Sequence, residues 1–236
     1  MTTLPRPLLI PLLAIALLGA PARDGSARQT AARDISGFWE LPVDGRRVPA
    51  ASLVPGVTPA MVAGRARLDA HAVRWCNTLG LPFLMESGRP LDIRQGSGII
   101  IIAPEHYTAP RYLYLNRAAH ISEEIFDPTT TGDSIARWDG DTLVVDTVGF
   151  HPGHGIMTIP GGGYRTASSH LVERYRLLEN GSVLSVVFTW TDPNMFRTSH
   201  TYEFRYYRLP ADYEPRLALP CDPYNEVRAR FLEEGR

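Results

Sequence analysis

The sequence has no lysine, only two cysteines and no excess of charge of either sign. All 24 basic residues are arginines, and 25 acidic residues balance them to a formal net charge of -1. A near-neutral chain lacks the broad basic surface that binding of nucleic acid requires, so no nucleic-acid partner is predicted. The 236 residues are enough to bury a core without stabilising disulfides.

Long apolar runs are also missing, apart from one close to the first residue. Residues 8–18 are almost wholly apolar, Arg6 precedes them, and Ala20 and Ala22 supply small side chains behind them. This arrangement is typical of a cleavable secretory signal, and the apolar run is short for a membrane anchor. We therefore expect a signal peptide over residues 1–22, a periplasmic or secreted location and no stable membrane insertion; an uncleaved anchor is the alternative.

A single domain is expected behind the leader. Residues 23–35 are rich in Ala, Arg, Gly, Ser and Thr, which predicts a disordered linker. Residues 36–236 then form one β-rich domain. In an oxidising compartment a lone pair of cysteines favours a disulfide, so we expect Cys76 and Cys221 to be bridged. Two unrelated buried thiols are the alternative.

Helical signals occur at two places in this domain. A hydroxyl cap at Thr58, a following proline and apolar residues at helical spacing predict one amphipathic helix. Met61 and Leu68 are expected on its apolar face. An Asp-Pro pair at residues 222–223 predicts a short C-terminal helix.

From residue 90 onward the pattern changes to that of strands. Turn-forming residues separate the runs, most clearly Asp139-Gly140-Asp141 and Asn180-Gly181. Because most connections are short, neighbours in sequence are expected to pair, which predicts about eight antiparallel strands in meander order. Closure into a lipocalin-like β-barrel would hide the edges and leave room for side chains or one small ligand; an open curved sheet or a sandwich is the alternative. The predicted strands cover residues 91–95, 98–103, 111–115, 134–138, 142–148, 170–178, 182–191 and 198–208, after a short strand at 36–41.

One segment is distinctive, since residues 132–147 read GDSIARWDGDTLVVDT. It resembles the motif GHSIGRWEGDTLVVDT of an uncharacterised family of exported bacterial proteins, frequent in sphingomonads and acidobacteria. The resemblance extends over roughly residues 76–222 and includes Glu105, Arg111, His120 and His170. It implies export and a β-rich body, but no particular reaction. The chain departs from the pattern where Asp133 replaces the motif histidine and where Asn116-Arg117-Ala118 replaces an Asp-Gly-Arg.

Histidines and carboxylates among the strands are the candidates for catalysis. His120 precedes two glutamates and His170 begins a strand, and a histidine beside carboxylates can act as a general base. Asp146 is either a surface residue beside two valines or a carboxylate inside the barrel. We predict that His120 or His170 moves a proton and that Asp146 or Glu105 orients the imidazole. A structural, hydrogen-bonded role for each histidine is the alternative.

Further polar residues are candidates for binding. Arg137 would hold an anionic or carbonyl group of the substrate. His200 and Tyr202 share an aromatic strand face, which would line a pocket for a planar or apolar molecule or else pack the core. His151 and His154 could bind a metal if the turn between them orients both rings, and a polar loop is the alternative.

These residues lead to three functional hypotheses. The first is an exported barrel enzyme that performs acid–base chemistry on a small, partly apolar molecule without a cofactor, as a lyase, hydratase or isomerase. The second is a non-catalytic periplasmic carrier or sensor that holds a small-molecule ligand in the same cavity. The third is a metal-dependent hydrolase that uses His151 and His154.

Overall fold

The computed structural model of the protein describes residues 33–74, 80–105, 109–153 and 155–215. Eleven strands and two α-helices lie within these residues, together with short 3-10 helices at Val43–Gly45 and Glu179–Gly181. In chain order the elements are β1 (Gly37–Glu40), α1 (Pro59–Arg74), α2 (Phe83–Glu86), β2 (Leu91–Gln95), β3 (Ile99–Pro104), β4 (Arg111–Tyr114), β5 (Asp133–Asp139), β6 (Thr142–Val148), β7 (Thr158–Ile159), β8 (Gly163–Tyr164), β9 (His170–Leu178), β10 (Val183–Thr191) and β11 (His200–Arg208).

Nine of the described strands form one closed barrel in the order β1, β11, β10, β9, β6, β5, β4, β3 and β2. The mainly β, lipocalin-like barrel expected from the alternating pattern is therefore confirmed. The predicted first strand, β1, completes the ring by pairing with both β2 and β11. Strands β7 and β8 form a separate two-stranded sheet.

One junction of the barrel differs from the predicted meander. Strands β4 and β5 are parallel, whereas the other neighbouring pairs are antiparallel. A parallel pair needs a connection that carries the chain back along the sheet, and residues 115–132 provide it. This long loop also carries His120.

Both predicted hairpin turns are present. Strand β5 ends at Asp139 and β6 begins at Thr142, with Gly140 between them at a φ of 62°. Such positive φ values suit glycine because it has no Cβ. At the second turn, Asn180 has a φ of 55°, which asparagine tolerates better than most residues.

Aromatic side chains from β10 and β11 pack in the barrel interior. The rings of Phe188 and Tyr202 stack with centroids 5.1 Å apart. The Trp190 indole N–H donates to the Tyr202 hydroxyl at 3.1 Å. Phe204 and Tyr206 alternate with outward-facing residues on β11 and are also buried. The described interior is therefore occupied by packed rings, as in other small barrels whose side chains fill the space.

Helix α1 is present as predicted, but its predicted apolar face is wrong. Met61 and Leu68 are 46% and 57% exposed, whereas Asp69 is only 4% exposed. The reason is that the Asp69 carboxylate accepts the backbone N–H groups of Met157 and Thr158, at 3.1 and 2.8 Å. These bonds turn the polar residue toward the β7–β8 hairpin and leave the two apolar side chains outside.

Several sequence predictions concern residues outside the described ranges: the signal peptide, most of the linker, Cys76, Cys221, His154 and the short C-terminal helix. They stay predictions. At the end of the predicted linker, Ile35 is buried and its carbonyl accepts the Trp39 indole N–H at 3.0 Å, so the packed domain includes it. In the described part of the chain, no helix is both long and apolar enough to span a membrane.

Glu86, at the end of α2, is a carboxyl group withdrawn from water. Burial raises its pKa from 4.5 to about 7, although the charge of Arg46 acts in the opposite direction. The pKa of Glu86 in the folded state lies above its value in the unfolded state. The contribution of the protonated Glu86 to the free energy of unfolding is therefore fully present below about pH 4.5 and is lost as the pH rises through about 7.

The Glu86→Gln variant is therefore expected to match the parent near pH 4 and to exceed its free energy of unfolding by roughly 2–3 kcal/mol near pH 8. Urea denaturation across this pH range measures the difference. Glu40→Gln, at an exposed carboxylate on β1, is the control and should follow the parent throughout. A Glu86→Gln difference that does not change with pH would contradict the prediction.

Candidate active site

Two aspartates and two histidines form a hydrogen-bonded row on the outer face of the barrel. His120 Nδ1 lies 3.0 Å from Asp133 Oδ2, and His120 Nε2 lies 3.1 Å from Asp146 Oδ1. His170 Nε2 lies 2.8 Å from the same Asp146 oxygen. The order is Asp133, His120, Asp146 and His170, and we call these residues the histidine–aspartate row.

Strand register explains why three members of the row meet. Asp146 on β6 pairs with Ile135 on β5 and with Val172 on β9. Asp133 and His170 are each two residues from one of these partners, and alternate residues of a strand share a face. Of the two positions that the sequence left open for Asp146, the surface position is the one observed. His120 reaches the same face from the β4–β5 loop.

Asp133 anchors the buried end of the row. Its carboxylate accepts the Ile121 backbone N–H at 3.0 Å and a hydrogen bond from Arg117, whose guanidinium lies 3.8 Å from the centre of the Tyr114 ring. Burial by itself raises the pKa of the Asp133 carboxyl, but the hydrogen bonds from Ile121, Arg117 and His120 outweigh burial and lower it overall. An ionised Asp133 therefore holds His120 through Nδ1–H.

Sequence reasoning missed Asp133 and Arg117 as members of the site. Both appeared only as departures from the family motif, at positions where that pattern has a histidine and part of an Asp-Gly-Arg. The signal that could have found them is their location, since both departures fall close in sequence to His120 or on the strand that pairs with Asp146. The two replacements act together, because Arg117 donates directly to Asp133.

Two carboxylate oxygens face the ring of His120, whereas a neutral imidazole has only one N–H to donate. A neutral imidazole carries one N–H, yet both ring nitrogens of His120 face carboxylate oxygens. Both contacts are hydrogen bonds only if His120 is doubly protonated or if Asp146 carries a proton.

His170 is the accessible end of the row. Its side chain is 39% exposed, against 4% for Asp133. With Nε2–H donated to Asp146, the ring nitrogen Nδ1 keeps its lone pair. Within the described residues Nδ1 has no hydrogen-bond partner, so it is available to a molecule from solvent.

Among the described residues, the other predicted binding residues make no hydrogen bond or ion pair with the row. Arg137 is exposed on the same outer face, whereas Glu105 accepts a hydrogen bond from the Tyr213 hydroxyl at 2.9 Å. His200 is buried, and its Nε2–H donates to the Pro160 carbonyl at 2.6 Å. Burial lowers the pKa of His200, and the bond to Pro160 opposes this only in part.

His200 and Tyr202 are thus core residues in the structure, and neither is brought to the row. His200 supports the turn between β7 and β8 through its bond to Pro160, and its ring lies 5.3 Å from that of Tyr202. This aromatic face was predicted either to line a ligand pocket or to pack the core. Among the described residues, its rings pack against one another in the core.

A second polar group lies on the inner side of the same barrel wall. Arg111 donates to Glu173 Oε1 and to Thr147 Oγ1, each at 2.8 Å, and also to Ser134 Oγ at 3.2 Å. The Tyr175 hydroxyl donates to Glu173 at 2.8 Å. We call these five residues the inner arginine cluster.

The inner arginine cluster is sealed from solvent, because Arg111 is 1% exposed and Glu173 is 0% exposed. Burial lowers the pKa of Arg111, but the charge of Glu173 and its hydrogen bonds outweigh burial and raise it. The cluster joins β4, β5, β6 and β9 behind the row. Its location points to a structural role in fixing the strands that carry the row.

The described ranges contain no complete metal site of the kind that the third hypothesis requires. No group of three or more His, Cys, Asp or Glu side chains there is arranged to hold a metal ion. His151 Nδ1 accepts the Gly153 backbone N–H at 2.9 Å, and His154 lies outside these ranges. Pairing of these two histidines around a metal stays a prediction.

Comparison with known proteins gives no assignment for the site. No model of a known protein family matches the chain, and no curated protein matches it.

Proposed function

We propose that the protein is an exported enzyme in which the histidine–aspartate row performs acid–base chemistry on a small, partly apolar molecule without a cofactor. The reaction is of the lyase, hydratase or isomerase type, in which a proton leaves one atom and is delivered to another. The observation that supports this most is the shared acceptor, since Nε2 of both His120 and His170 faces Asp146 Oδ1. The signal-like leader supports export.

His170 is the group that takes the proton from the substrate. Asp146 accepts Nε2–H and so orients the ring, and Nδ1 of this partly exposed side chain then keeps its lone pair. A carboxylate behind an imidazole also stabilises the positive charge that forms when the imidazole is protonated. This pairing makes His170 the general base and Asp146 its positioning residue.

His120 has a different role, since carboxylates face both of its ring nitrogens. It is therefore a positioning residue that holds Asp146 at the same carboxylate oxygen that His170 contacts. Asp133 fixes His120 in turn, and Arg117 balances the charge of Asp133.

The carrier hypothesis has less support. A carrier of this kind holds its ligand in an enclosed, largely apolar cavity. The described interior contains the packed rings of Phe188, Tyr202 and Phe204, whose centroids lie 5.1–5.5 Å apart. An accessible imidazole on the outer face suits proton transfer better than enclosure.

Hydrogen exchange at carbon tests the proposal directly. The full chain is incubated in D2O with a panel of small hydroxy acids, unsaturated acids and carbonyl compounds, and deuterium incorporation is followed by NMR. For a substrate found in this way, His170→Gln should lower the exchange rate by roughly 100- to 10,000-fold, and His120→Gln by about tenfold or more.

His151→Gln provides the matched control, because it removes an imidazole that is not part of the row. It should leave the exchange rate unchanged, and circular dichroism should show that all three variants are folded. Equal rates in His170→Gln and His151→Gln would refute the proposal. Panel molecules that bind without any exchange would favour the carrier.

A further inference from the structure

Two exposed arginines flank one valine on the outer face that carries the row. Val144 on β6 pairs with Arg137 on β5 and with Arg174 on β9. The two arginine backbones are therefore about 10 Å apart, one strand to either side of Val144. Asp146 lies two residues further along β6, on the same face and about 7 Å from Val144.

Neither guanidinium has a partner within the described part of the chain. Arg137 and Arg174 make no hydrogen bond, ion pair or ring contact there. Other exposed arginines of the barrel wall are paired: Arg176 with Asp141, Arg205 with Glu203, and Arg94 with Asp92. The register therefore places two cations that lack a partner among the described residues one strand to either side of Val144, an arrangement that favours an anion between them.

The surface between the arginines and the row is apolar. Val144 is only 5% exposed although it faces outward, and Val172 and Ile135 on the same face are partly buried. A ligand anchored by the arginines would lay its carbon skeleton over Ile135 and Val172, which keep part of their apolar surface exposed. Its far end would then reach His170 and Asp146.

We infer that Arg137 and Arg174 bind the oxyanion of the substrate, so that the substrate is a small carboxylic acid or phosphate ester with an apolar body. This inference rests on the proposed function, because it names the substrate class of the same site. Guanidinium groups suit this task, since each presents parallel N–H donors that match a carboxylate or phosphate in a bidentate contact. Arg174 was not among the residues expected from the sequence to bind substrate, and its register opposite Val144 is what identifies it.

Titration of the full chain with benzoate, followed by NMR, tests the inference. Benzoate is expected to bind with a dissociation constant in the millimolar range, because the site is open on one side. Arg137→Gln and Arg174→Gln should each weaken binding by about tenfold, since each removes a charged hydrogen bond. Benzyl alcohol, which lacks the charge, should bind more weakly than benzoate.

Arg205→Gln is the control, because it removes an exposed arginine that is already paired with Glu203. It should leave benzoate binding unchanged. Competition with inorganic phosphate and with phenyl phosphate separates the two sources of the oxyanion. If the phosphate compounds displace half of the benzoate at a concentration below that of benzoate itself, the ligand is a phosphate ester. If they need a higher concentration than benzoate, the ligand is a carboxylic acid. No benzoate binding at tens of millimolar, or equal binding in all arginine variants, would overturn the inference.

The same variants separate this inference from the proposed function. His170→Gln should weaken benzoate binding less than either arginine variant does, because it leaves both arginines in place. If His170→Gln loses hydrogen exchange while the arginine variants keep benzoate binding, only the anion site is refuted. If the arginine variants lose benzoate while His170→Gln keeps full exchange, only the proposed catalytic role is refuted.

Discussion

Replacing Arg111 with methionine is expected to lower the free energy of unfolding by about 3–5 kcal/mol. Methionine fills much of the arginine volume but leaves the carboxylate of Glu173, which is 0% exposed, without its cation. The hydroxyls of Ser134 and Thr147 lose their donor as well. A buried charge without a partner costs far more free energy than a buried pair. Urea denaturation of the full chain measures the loss.

A double variant identifies the cause of this loss. In Arg111→Met/Glu173→Met both charges are absent, so at least half of the lost stability should return. Arg94→Met removes an exposed arginine that is paired with Asp92, and it should cost about 1 kcal/mol or less. Equal losses in the Arg111 and Arg94 variants would show that the inner arginine cluster does not hold the barrel wall together.

The Asp146→Asn variant is expected to lower kcat by roughly 100- to 10,000-fold. An asparagine keeps the size of the side chain but removes the negative charge that faces both imidazoles. Its amide can also present an N–H to His170, which favours the tautomer with the proton on Nδ1 and so removes the lone pair that should face the substrate.

The measurements for Asp146→Asn separate positioning from general damage. KM should change little while kcat falls, and nitrogen NMR of His170 should report a shift of its proton toward Nδ1. Asp141→Asn is the control, because it removes an exposed carboxylate at the nearby hairpin turn, where Asp141 pairs with Arg176. A kcat for Asp146→Asn within twofold of the Asp141→Asn value would exclude Asp146 from the reaction.

The barrel could be predicted from local pattern, but one of its junctions could not. Alternation in β6 and β9 and the glycine at 140 are local signals, so the strands and the β5–β6 hairpin followed from sequence. The parallel contact of β4 with β5 depends on the path of the connection 115–132, which alternation does not encode. The exposed face of α1 was mispredicted for a related reason, because the tertiary partners of Asp69 decide its rotation.

For the site, residue types were predictable and neighbours were not. His120, Asp146 and His170 stood out as polar groups among apolar strands, but their meeting depends on the pairing of β6 with β9 across an intervening hairpin. The sequence also contains a signal for the inner arginine cluster, although that cluster was not predicted. Arg111 is in phase with Leu113 and Glu173 with Leu171, and charged residues in an inward phase require each other as partners.

Closure of the barrel through β1 has a consequence for chains that lack the last strand. Because β1 bonds to β2 on one side and to β11 on the other, the ring stays open until the last strand arrives. A product that stops before His200 would keep the other eight barrel strands but would expose unpaired backbone groups along β1 and β10. Such edges recruit strands from other molecules, so truncated forms should aggregate even though they retain most of the core.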